Sequence, residues 1–593
     1  MEKAKNNISA HQQHPDPDAD LIRLMVIGDS ISHGREGDWT WRYRIWQWLV
    51  RDEGLNNIRF VGPYKGTVPP DEAHPPRPPR CPDDPAELPA PLRTDGGYAA
   101  GVEADFLDNS DHFAASGRQV CQAKDLVKAQ VAVYRPDVCL VQLGFNDLGW
   151  RMCGPLLTLT DMKCLVDEVR AAKPDVKLAI ADIPQRTDLP GREDLPVDTR
   201  VYNSMLAQVI PYWSTPKSPI ALVRFCDNYS CGGSKSDAAY DGLHPNALGD
   251  YELAQAFSRT LVSAFSIGRS PLVIPKHIPP RPLSTPAGLK AISTPGGIVV
   301  KWEPVYGALG YCLQRRLAGE RDWTSNDLNC NTYYWPPQRK GEVVECRVRS
   351  NGGDSVHSPW SDIASAVAKP ETASPPSNII THATADGFAI SWDTPRRPYA
   401  GEIDRYGILY FDGDQPGAFP SLVGARGNKT ELTGLVPGHR YFINMSTWTT
   451  AGEGHYASAH AVIVGKGKPQ TPTPVRAKAL DAQNLELSCP EVDGAAGYSI
   501  WIRGHGHLEL RVPPKKTAET TPNKQEKGSS LEPSTVTIAI WASPSIWDYE
   551  YAISAYNGDD ESDQSKWVFP PRLDSVDVSL TQGDAIHVQV RYG

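Results

Sequence analysis

Four short segments in the first half of the chain contain the residue types that acyl transfer requires. A serine hydroxyl becomes a strong nucleophile when a neighbouring base takes its proton, and histidine is the usual base near neutral pH. An acidic residue must then hold the imidazole in the correct tautomer. Ser30, His244 and Asp241 supply these types, and Asp241 can reach the His244 ring from the same loop. The segments are GDS at 28–30, ASG at 115–117, GFND at 144–147 and DGLHPN at 241–246.

The same segments contain donors for the oxyanion of a tetrahedral intermediate, which needs N–H groups aimed at its negative oxygen. We predict that the backbone N–H groups of Ser30 and Gly117 and the side-chain amide of Asn146 fill this role. Glycine at position 117 lets the backbone approach a substrate because it has no Cβ. These residues form the candidate oxyanion hole.

Each segment also has a simpler explanation when it is taken alone. GDS and GFND are compatible with ordinary turns. The segment 241–246 would serve as the cap of a following helix, with His244 as a surface residue. The occurrence of all four segments in one order, next to predicted element ends, favours a catalytic site.

A regular alternation of strands and helices must position these segments. Short apolar runs alternating with helices indicate a parallel sheet covered on both faces, and ligands bind such sheets beyond the carboxyl ends of the strands. A Pro-rich stretch at 62–101 is expected to be a long irregular insertion. The predicted strands are 24–27, 57–61, 138–143, 177–183 and 220–225, and the predicted helices are 41–50, 120–134, 161–172, 201–209 and 247–265.

The second half of the chain has no helical periodicity and repeats every 90 to 100 residues. Three prolines, 90 and 98 residues apart, each precede a core-type residue by 15 or 16 positions. Repeats of this length with alternating strands predict small β-sandwiches. The pairs are Pro286 with Trp302, Pro376 with Trp392, and Pro474 with Cys489.

These repeats resemble fibronectin type III domains, most specifically in the segment LTGLVPGHRY at 432–441. The first copy departs from the pattern at Val344, where a tyrosine is expected. The third copy has Cys489 in place of tryptophan and a polar insertion at about 513–534 that we expect to be disordered. The last 21 residues, from Leu573, could add strands to the third copy or pack elsewhere.

The predicted domain organisation combines these two halves. We expect an N-terminal tail, an α/β domain that carries the four chemical segments, a stiff and extended Pro-rich linker, and three sandwich modules whose default role is spacing. The corresponding ranges are 1–20, 21–268, 269–283, 284–368, 372–466 and 472–593.

The four chemical segments together resemble the four sequence blocks of the SGNH (GDSL-type) hydrolases, over about 21–267. The resemblance implies a flavodoxin-like three-layer α/β fold and a carboxylic ester hydrolase. It also implies that Ser30 is the nucleophile, His244 the base and Asp241 its orienting acid, with Gly117 and Asn146 in the oxyanion hole.

The residues around Ser30 and His244 look most like those of carbohydrate esterases that deacetylate plant polysaccharides. The stretches concerned are GDSISHGREGDWTWRYR and DGLHPNALGDYELA. The resemblance therefore implies an acylated carbohydrate as the ester substrate. This chain has Phe145 where the family usually has Thr or Glu, which could narrow the active site. The Pro-rich insertion could reshape the substrate pocket.

Aromatic and basic residues near Ser30 suggest further roles. We predict Trp39 and Phe145 as substrate contacts. Trp41 and Trp48 are seven residues apart, so we expect them to pack on the sheet. Arg42 is expected to pair with an acidic neighbour.

Composition excludes several classes of protein. The 60 Lys and Arg against 70 Asp and Glu give a net charge of −10, which argues against nucleic-acid binding and attraction to anionic membranes. No apolar stretch is long enough to span a membrane. No metal, nucleotide or flavin motif is present, so we expect no cofactor. Eleven cysteines are too few for a disulfide scaffold, although Cys226 with Cys231, or Cys153 with Cys164, could close short loops.

Two other functions compete with a carbohydrate esterase. The same triad would serve an acyltransferase or lipase acting on a small metabolite or lipid. The sandwich modules would carry the function if the chain were a binding or adhesion protein with an inert hydrolase domain. The modules favour an extracellular location, but the first twenty residues lack the apolar region of a signal peptide, so a cytoplasmic location stays open.

Overall fold

The computed structural model describes residues 21–336, 339–353, 356–504, 515–520, 534–543, 545–571, 573–580 and 586–592. The predicted tail at 1–20 lies outside the described residues.

Six parallel strands form one sheet at the centre of the N-terminal domain. Their spatial order is β2-β1-β4-β5-β6, with the short β3 beside the end of β1. The core residues of β1 and β4 are fully buried because helices cover both faces of the sheet. This confirms the predicted flavodoxin-like α/β fold. The strands are β1 (Ile22–Gly28), β2 (Ile58–Phe60), β3 (Phe113–Ala114), β4 (Val138–Gln142), β5 (Lys177–Ala181) and β6 (Ile220–Val223).

Eight α-helices and a small hairpin surround this sheet within the described residues. Helix α4 packs on α6 and helix α2 packs on α8. A π-helical turn, Trp48–Asp52, follows α2. The helices are α1 (Ser30–His33), α2 (Trp41–Gln47), α3 (Ala104–Leu107), α4 (Val120–Tyr134), α5 (Phe145–Gly149), α6 (Pro155–Ala172), α7 (Leu195–Trp213) and α8 (Ala247–Phe265), and the hairpin strands are β7 (Cys231–Gly232) and β8 (Lys235–Ser236).

Three tryptophans near the nucleophile belong to the core, as predicted for Trp41 and Trp48. The side chains of Trp41, Trp46 and Trp48 are buried. Trp41 stacks on Phe257 of α8, with ring centroids 4.6 Å apart and planes 2° apart. These rings therefore pack α2 against the rest of the domain.

The Pro-rich insertion at 62–101 contains no helix and only isolated bridges, as expected. All eleven cysteines are free. The two loop-closing disulfides considered from the sequence are therefore wrong for this structure.

Each sandwich module combines a three-stranded with a four-stranded or five-stranded antiparallel sheet, which confirms the predicted all-β fold. Trp302 and Trp392 are buried in the cores of the first and second modules, and Val344 takes a buried position in the first. The strands of the first module are β9 (Lys290–Thr294), β10 (Gly297–Lys301), β11 (Gly310–Leu317), β12 (Thr324–Leu328), β13 (Thr332–Trp335), β14 (Val343–Asn351) and β15 (Ala364–Val367). Those of the second are β16 (Ser377–Ala383), β17 (Phe388–Asp393), β18 (Ile403–Asp412), β19 (Ser421–Ala425), β20 (Lys429–Leu432), β21 (Arg440–Thr449), β22 (Gly452–Ser458) and β23 (Val462–Ile463).

The expectation that the polar insertion at 513–534 of the third module is disordered is wrong for part of the insertion. Its residues 515–520 form an edge strand, because they pair with β26, while 513–514 and 521–533 lie outside the described residues. Cys489 is buried in this module's core. The strands are β24 (Arg476–Ala479), β25 (Asn484–Pro490), β26 (Gly497–Gly504), β27 (Lys515–Thr520), β28 (Thr535–Trp541), β29 (Tyr549–Asn557) and β30 (Asp560–Glu561), and a separate hairpin follows as β31 (Leu573–Leu580) and β32 (Ile586–Tyr592).

Candidate active site

Ser30 lies in the tight turn where β1 meets the short helix α1. The turn brings backbone and side chains so close that a Cβ at Gly28 would lie 2.4 Å from the Cβ of Ser32. Asp29 holds the turn because its Oδ1 accepts a hydrogen bond from the backbone N–H of Ile31 (2.9 Å). Burial raises the pKa of Asp29 to about 7. The turn therefore presents Ser30 at the carboxyl edge of the sheet.

Ser30, His244 and Asp241 form one hydrogen-bonded chain. The hydroxyl of Ser30 lies 2.8 Å from Nε2 of His244, and Nδ1 of His244 lies 2.7 Å from Oδ2 of Asp241. Nucleophile, base and orienting acid have this connectivity in a serine triad. Although 214 positions separate Ser30 from His244, the fold brings all three predicted residues together.

The loop before α8 orients both His244 and Asp241. The Oδ1 atom of Asp241 accepts from the backbone N–H groups of Leu243 (3.0 Å) and His244 (2.8 Å). Burial acts to raise the pKa of Asp241, but the hydrogen bonds from the His244 ring and from these N–H groups outweigh it and hold that pKa below its usual value. Asn246 caps α8 by accepting from Leu248 (3.0 Å), so the segment serves as helix cap and candidate catalytic loop at once.

Strand register brings the two oxyanion loops to the same edge as Ser30. Gly28 of β1 pairs with Ala114 of β3 on one side and with Gln142 of β4 on the other. Ser30, Gly117 and Asn146 follow these three aligned positions by two, three and four residues. These three residues therefore lie in loops that begin at the same place on the edge of the sheet.

Gly117 and Asn146 are tied to each other through Arg118. One N–H of the Asn146 amide donates to the Arg118 carbonyl (3.1 Å). Gly117 has a φ of +77°, which glycine adopts without strain. The neighbouring Asp147 is buried and accepts from the N–H of Val120 (2.9 Å), which anchors the start of α4 beside this loop.

The buried side chain of His33 connects two parts of the candidate site. His33 accepts a hydrogen bond at Nδ1 from the backbone N–H of Ser116 (3.3 Å). Burial, together with the charges of Arg42 and Arg118, lowers the pKa of His33 to about 3, so the ring is neutral and free to accept. The helix that carries Ser30 is thereby joined to the loop that carries Gly117.

The expectation that Arg42 pairs with an acidic neighbour is wrong. The Arg42 guanidinium is buried and donates instead to four backbone carbonyls from three separate segments, namely helix α1 and two loops. Burial in a turn-rich region supplies carbonyl partners that no local sequence pattern reveals. The acceptors are Ser32 (2.8 Å), His33 (3.0 Å), Gly66 (2.9 Å) and Ser110 (3.0 Å).

The two predicted substrate contacts, Phe145 and Trp39, differ in how far their side chains are buried. Phe145, the first residue of α5, is only 5% exposed and packs in the hydrophobic core, and a substrate contact by it stays a prediction. Trp39 is half-buried, and its ring lies 4.4 Å from the Arg44 guanidinium and 5.8 Å from the Tyr43 ring. A substrate contact by Trp39 stays a prediction.

Trp150 is a candidate substrate contact that the sequence analysis missed. It is 57% exposed and lies beside the candidate oxyanion loop, since a Cβ at Gly117 would be 3.0 Å from its Cη2 atom. Arg192 holds the Trp150 loop by donating to the carbonyls of Leu148 (3.1 Å) and Gly149. The position of Trp150 three residues after GFND is the signal that could have found it.

Two groups of side chains have thiol and carboxylate atoms within 4.8 Å of one another in the described part of the chain, as a metal site would need. In the group of Cys121, Asp147 and Cys153, both carboxylate oxygens already accept from the backbone N–H of Val120. In the group at 81–84, Asp84 is paired with Arg405 and Arg426. The acids of both groups therefore already have partners in the protein.

Comparison with known proteins identifies the same two kinds of domain. Residues 78–250 match the model of the GDSL-like lipase/acylhydrolase family, and residues 374–463 match that of the fibronectin type III domain. The first range includes Gly117, Asn146, Asp241 and His244. Ser30 precedes it, so the assignment of Ser30 depends on its position and contacts.

Individual proteins resemble the chain only distantly. Contactin-2 of Mus musculus is 24% identical over 257 residues, which are 40% of this chain and 24% of contactin-2, so the chain spans about a quarter of that relative's length. A carbohydrate esterase family 3 structure from Talaromyces cellulolyticus is 19% identical, with a TM-score of 0.31, over 42% of this chain and 99% of that one. The FN1-FN3 domains of chicken CNTN1 are 14% identical, with a TM-score of 0.16, over 48% of this chain and 97% of that one.

Proposed function

We propose that this chain, which carries a GDSL-like acylhydrolase domain, is a serine esterase that removes short acyl groups, chiefly acetyl, from a carbohydrate through an acyl-enzyme. The single observation that carries the proposal is the hydrogen-bonded chain from Ser30 through His244 to Asp241. The domain type supports ester hydrolysis as the reaction class.

The first half-reaction acylates Ser30. His244 takes the hydroxyl proton at Nε2 while the Ser30 oxygen attacks the ester carbonyl carbon. The carbonyl oxygen becomes an oxyanion, which the backbone N–H groups of Ser30 and Gly117 and the Asn146 amide stabilise. The tetrahedral intermediate collapses, the bond to the alcohol oxygen breaks, and His244 returns its proton to that oxygen.

The second half-reaction releases the acid. A water molecule attacks the acyl carbon, and His244 takes one of its protons. The bond to Ser30 breaks, and the proton returns to the serine oxygen. Asp241 carries a negative charge throughout, because its hydrogen bonds keep its pKa below the ordinary value, and it stabilises the imidazolium of each transition state.

A carbohydrate substrate is supported by sequence and by one exposed side chain. The residues around Ser30 and His244 resemble those of polysaccharide deacetylases. Trp150 presents an exposed aromatic face next to Gly117, and aromatic faces commonly line ligand sites. The proposal therefore places a sugar ring against Trp150 when its ester carbonyl lies at Ser30.

A substrate panel tests the proposal with the full chain. We expect release of acetate from acetylated xylan and from p-nitrophenyl acetate, and rates that fall as the acyl chain lengthens. Ser30→Ala should abolish both activities. Ser263→Ala, an exposed serine of α8, is the matched control and should retain them.

The panel also separates the competing functions. Faster cleavage of long-chain esters than of acetyl esters would favour a lipase, and acyl transfer to an added alcohol over hydrolysis would favour an acyltransferase. Full activity in Ser30→Ala would contradict the assignment of the nucleophile. A wild-type chain inactive on every ester would favour an inert domain with binding modules.

A further inference from the structure

Tyr240 covers one face of the His244 imidazole. Their rings are stacked, with centroids 5.8 Å apart and planes 19° apart. The backbone N–H of Tyr240 donates to the carbonyl of His244 (2.9 Å). Ser30 and Asp241 bond the ring nitrogens of His244 in its plane, so a stacked neighbour restrains the tilt that those bonds leave open.

Arg35 links Tyr240 to the first sandwich module. The Arg35 guanidinium is beside the Tyr240 hydroxyl, whose pKa burial raises above its usual value, so the hydroxyl stays protonated. The same guanidinium donates to the carbonyl of Leu309 in the module (3.3 Å). Arg35 lies only five residues after Ser30, so this contact connects the module with both catalytic loops.

The module also touches Tyr240 directly through its backbone. A Cβ at Gly353 would lie 2.4 Å from the Cβ of Tyr240 and 2.7 Å from its carbonyl oxygen, so only glycine allows this approach. Asn351 joins the two contact points, because its carbonyl accepts from Leu309 (2.9 Å) and its side chain accepts from the N–H of Gly353 (2.8 Å). Leu309 and Gly353 therefore act as one support.

A buried ion pair fastens the module to the loop after Ser30. Arg281, in the linker just before the module, pairs with Asp38 and donates to the carbonyls of Glu36 and of Gly307 in the module. The charged side chains of Arg281 and Asp38 are 17% and 10% exposed. Asp38 in turn accepts from the N–H of Arg35 (2.6 Å). Removing one member of a buried pair leaves a charge without a partner, which is strongly unfavourable.

We propose that Tyr240 is a positioning residue for His244 and that the first sandwich module holds Tyr240 and Arg35 in place. The modules would then act as more than spacers, because one of them would complete the support of the catalytic base. This inference rests on the proposed esterase function. Its physical basis is that displacements of about 1 Å in a catalytic group can cost about 10²-fold in rate.

Substitution of Tyr240 tests the first part. In the full chain, Tyr240→Ala should lower kcat for p-nitrophenyl acetate about tenfold with KM within about twofold, because the base is misplaced but the ester site is intact. Tyr240→Phe keeps the ring and should restore kcat to within about threefold. Tyr212→Ala, which removes an exposed tyrosine of α7, is the matched control.

Substitution of Arg281 tests the second part and leaves the Tyr240 ring unchanged. Arg281→Ala should lower kcat about fivefold at constant KM, and Arg281→Lys should restore part of it. Arg321→Ala, which removes an exposed arginine of the first sandwich module, should leave kcat unchanged. This second variant keeps the inference testable if Tyr240→Ala does not fold, which thermal unfolding would show.

Three outcomes overturn different statements. Wild-type kcat in both Tyr240→Ala and Arg281→Ala overturns the inference. A loss of kcat in Tyr240→Ala alone overturns the role of the module. A wild-type chain that neither hydrolyses p-nitrophenyl acetate nor reacts with a fluorophosphonate overturns the proposed function instead, so the two failures are distinguishable.

Discussion

At the scale of single residues, the site depends on how Asp241 divides its two carboxylate oxygens. Oδ1 accepts from two backbone N–H groups of its own loop, and Oδ2 faces the His244 ring. The loop bonds fix the carboxylate, and the remaining oxygen fixes the imidazole. One side chain thus sets both the loop conformation and the orientation of the base.

Replacement of Asp241 by asparagine should separate these two roles. Asp241→Asn retains an oxygen for the loop N–H groups but removes the negative charge opposite Nδ1, so we expect kcat to fall about 10³-fold or more. Steady-state hydrolysis of p-nitrophenyl acetate measures this change in kcat. Asp237→Asn, at an exposed position of the same loop region, is the control. A loss below tenfold would show that Asp241 does not orient the base.

Trp150 should act on the sugar and not on the acyl group. Trp150→Ala is expected to raise KM for an acetylated xylo-oligosaccharide about tenfold, since an aromatic contact contributes about 1 kcal/mol or somewhat more. KM for p-nitrophenyl acetate should change less than about twofold, because that ester has no sugar. Trp541→Ala removes another exposed tryptophan, in the third module, as control. Equal changes for both substrates would rule out a sugar-specific contact.

At the scale of secondary-structure elements, α1 and the loop after β3 are joined by the buried His33. Its ring is 0% exposed and accepts from the backbone N–H of Ser116. A charged imidazole could not accept that bond. The neutral ring therefore couples the turn that carries Ser30 to the loop that carries Gly117.

This coupling predicts an acid sensitivity with a definite sign. The folded chain holds His33 at a pKa of about 3, while the unfolded chain binds a proton near pH 6.5, so His33 stabilises the fold fully above that pH and progressively less as the pH falls towards 3. His33→Gln removes this contribution. The slope of the unfolding free energy between pH 6.5 and 4 should therefore fall by up to about 1.4 kcal/mol per pH unit.

Thermal and denaturant unfolding of the N-terminal domain at several pH values measures the slope. His277→Gln, at an exposed position of the linker, is the matched control. Parallel pH profiles for wild type and His33→Gln would contradict a neutral, buried His33.

Periodic elements could be predicted from sequence, whereas short elements and distant contacts could not. The helix α4 has the predicted bounds because its apolar spacing is regular. The helix α7 begins six residues earlier than predicted, because Pro196 suits a first helical turn but looks like a breaker. The strand β3 has two residues, too few for any periodic pattern.

In the candidate active site, too, residues in local motifs could be predicted, whereas contacts between distant segments could not. Ser30, Asp241 and His244 are recognisable because each lies in a local motif. Arg42 and Tyr240 act through partners from other loops, and a local sequence does not show which loops the fold brings together. Phe145 lies inside a motif, yet its side chain packs in the core, and the motif alone does not reveal that burial.

At the scale of the whole molecule, the Pro-rich insertion bridges the hydrolase domain and the second sandwich module. The carbonyl of Arg80 accepts from the N–H of Gly424 on the edge strand β19 (2.7 Å). Asp84 pairs with Arg405 and Arg426 (2.6 Å each). The hydrogen bond from the backbone N–H of Cys81 (2.8 Å), together with these two arginines, holds the pKa of Asp84 well below the usual range. The insertion thus covers a sheet edge that would otherwise expose unpaired backbone groups.

The bridge predicts a change in protease sensitivity. Asp84→Asn removes the charge shared by two arginines, so tryptic cleavage after Arg80 should accelerate several-fold while the hydrolase core stays intact. Lowering the pH of the wild type progressively below about 4 should act in the same direction, because the stabilisation by the ion pairs is complete above the unfolded pKa of Asp84 and declines as the pH falls towards the lower folded pKa. The experiment at low pH requires an acid-stable protease in place of trypsin.

Asp71→Asn, an exposed acid of the same insertion, serves as control. Cleavage of Asp84→Asn at the wild-type rate would show that the insertion does not depend on Asp84 for docking.

The central claim is that Ser30 is the nucleophile of an ester hydrolase, and covalent labelling tests it most directly. The full chain is incubated with a fluorophosphonate, and the modified residue is located by mass spectrometry. We predict a single phosphonylated serine at Ser30, no labelling in Ser30→Ala, and slow labelling in His244→Gln. Labelling at another serine, or none in the folded wild-type chain, would contradict the claim.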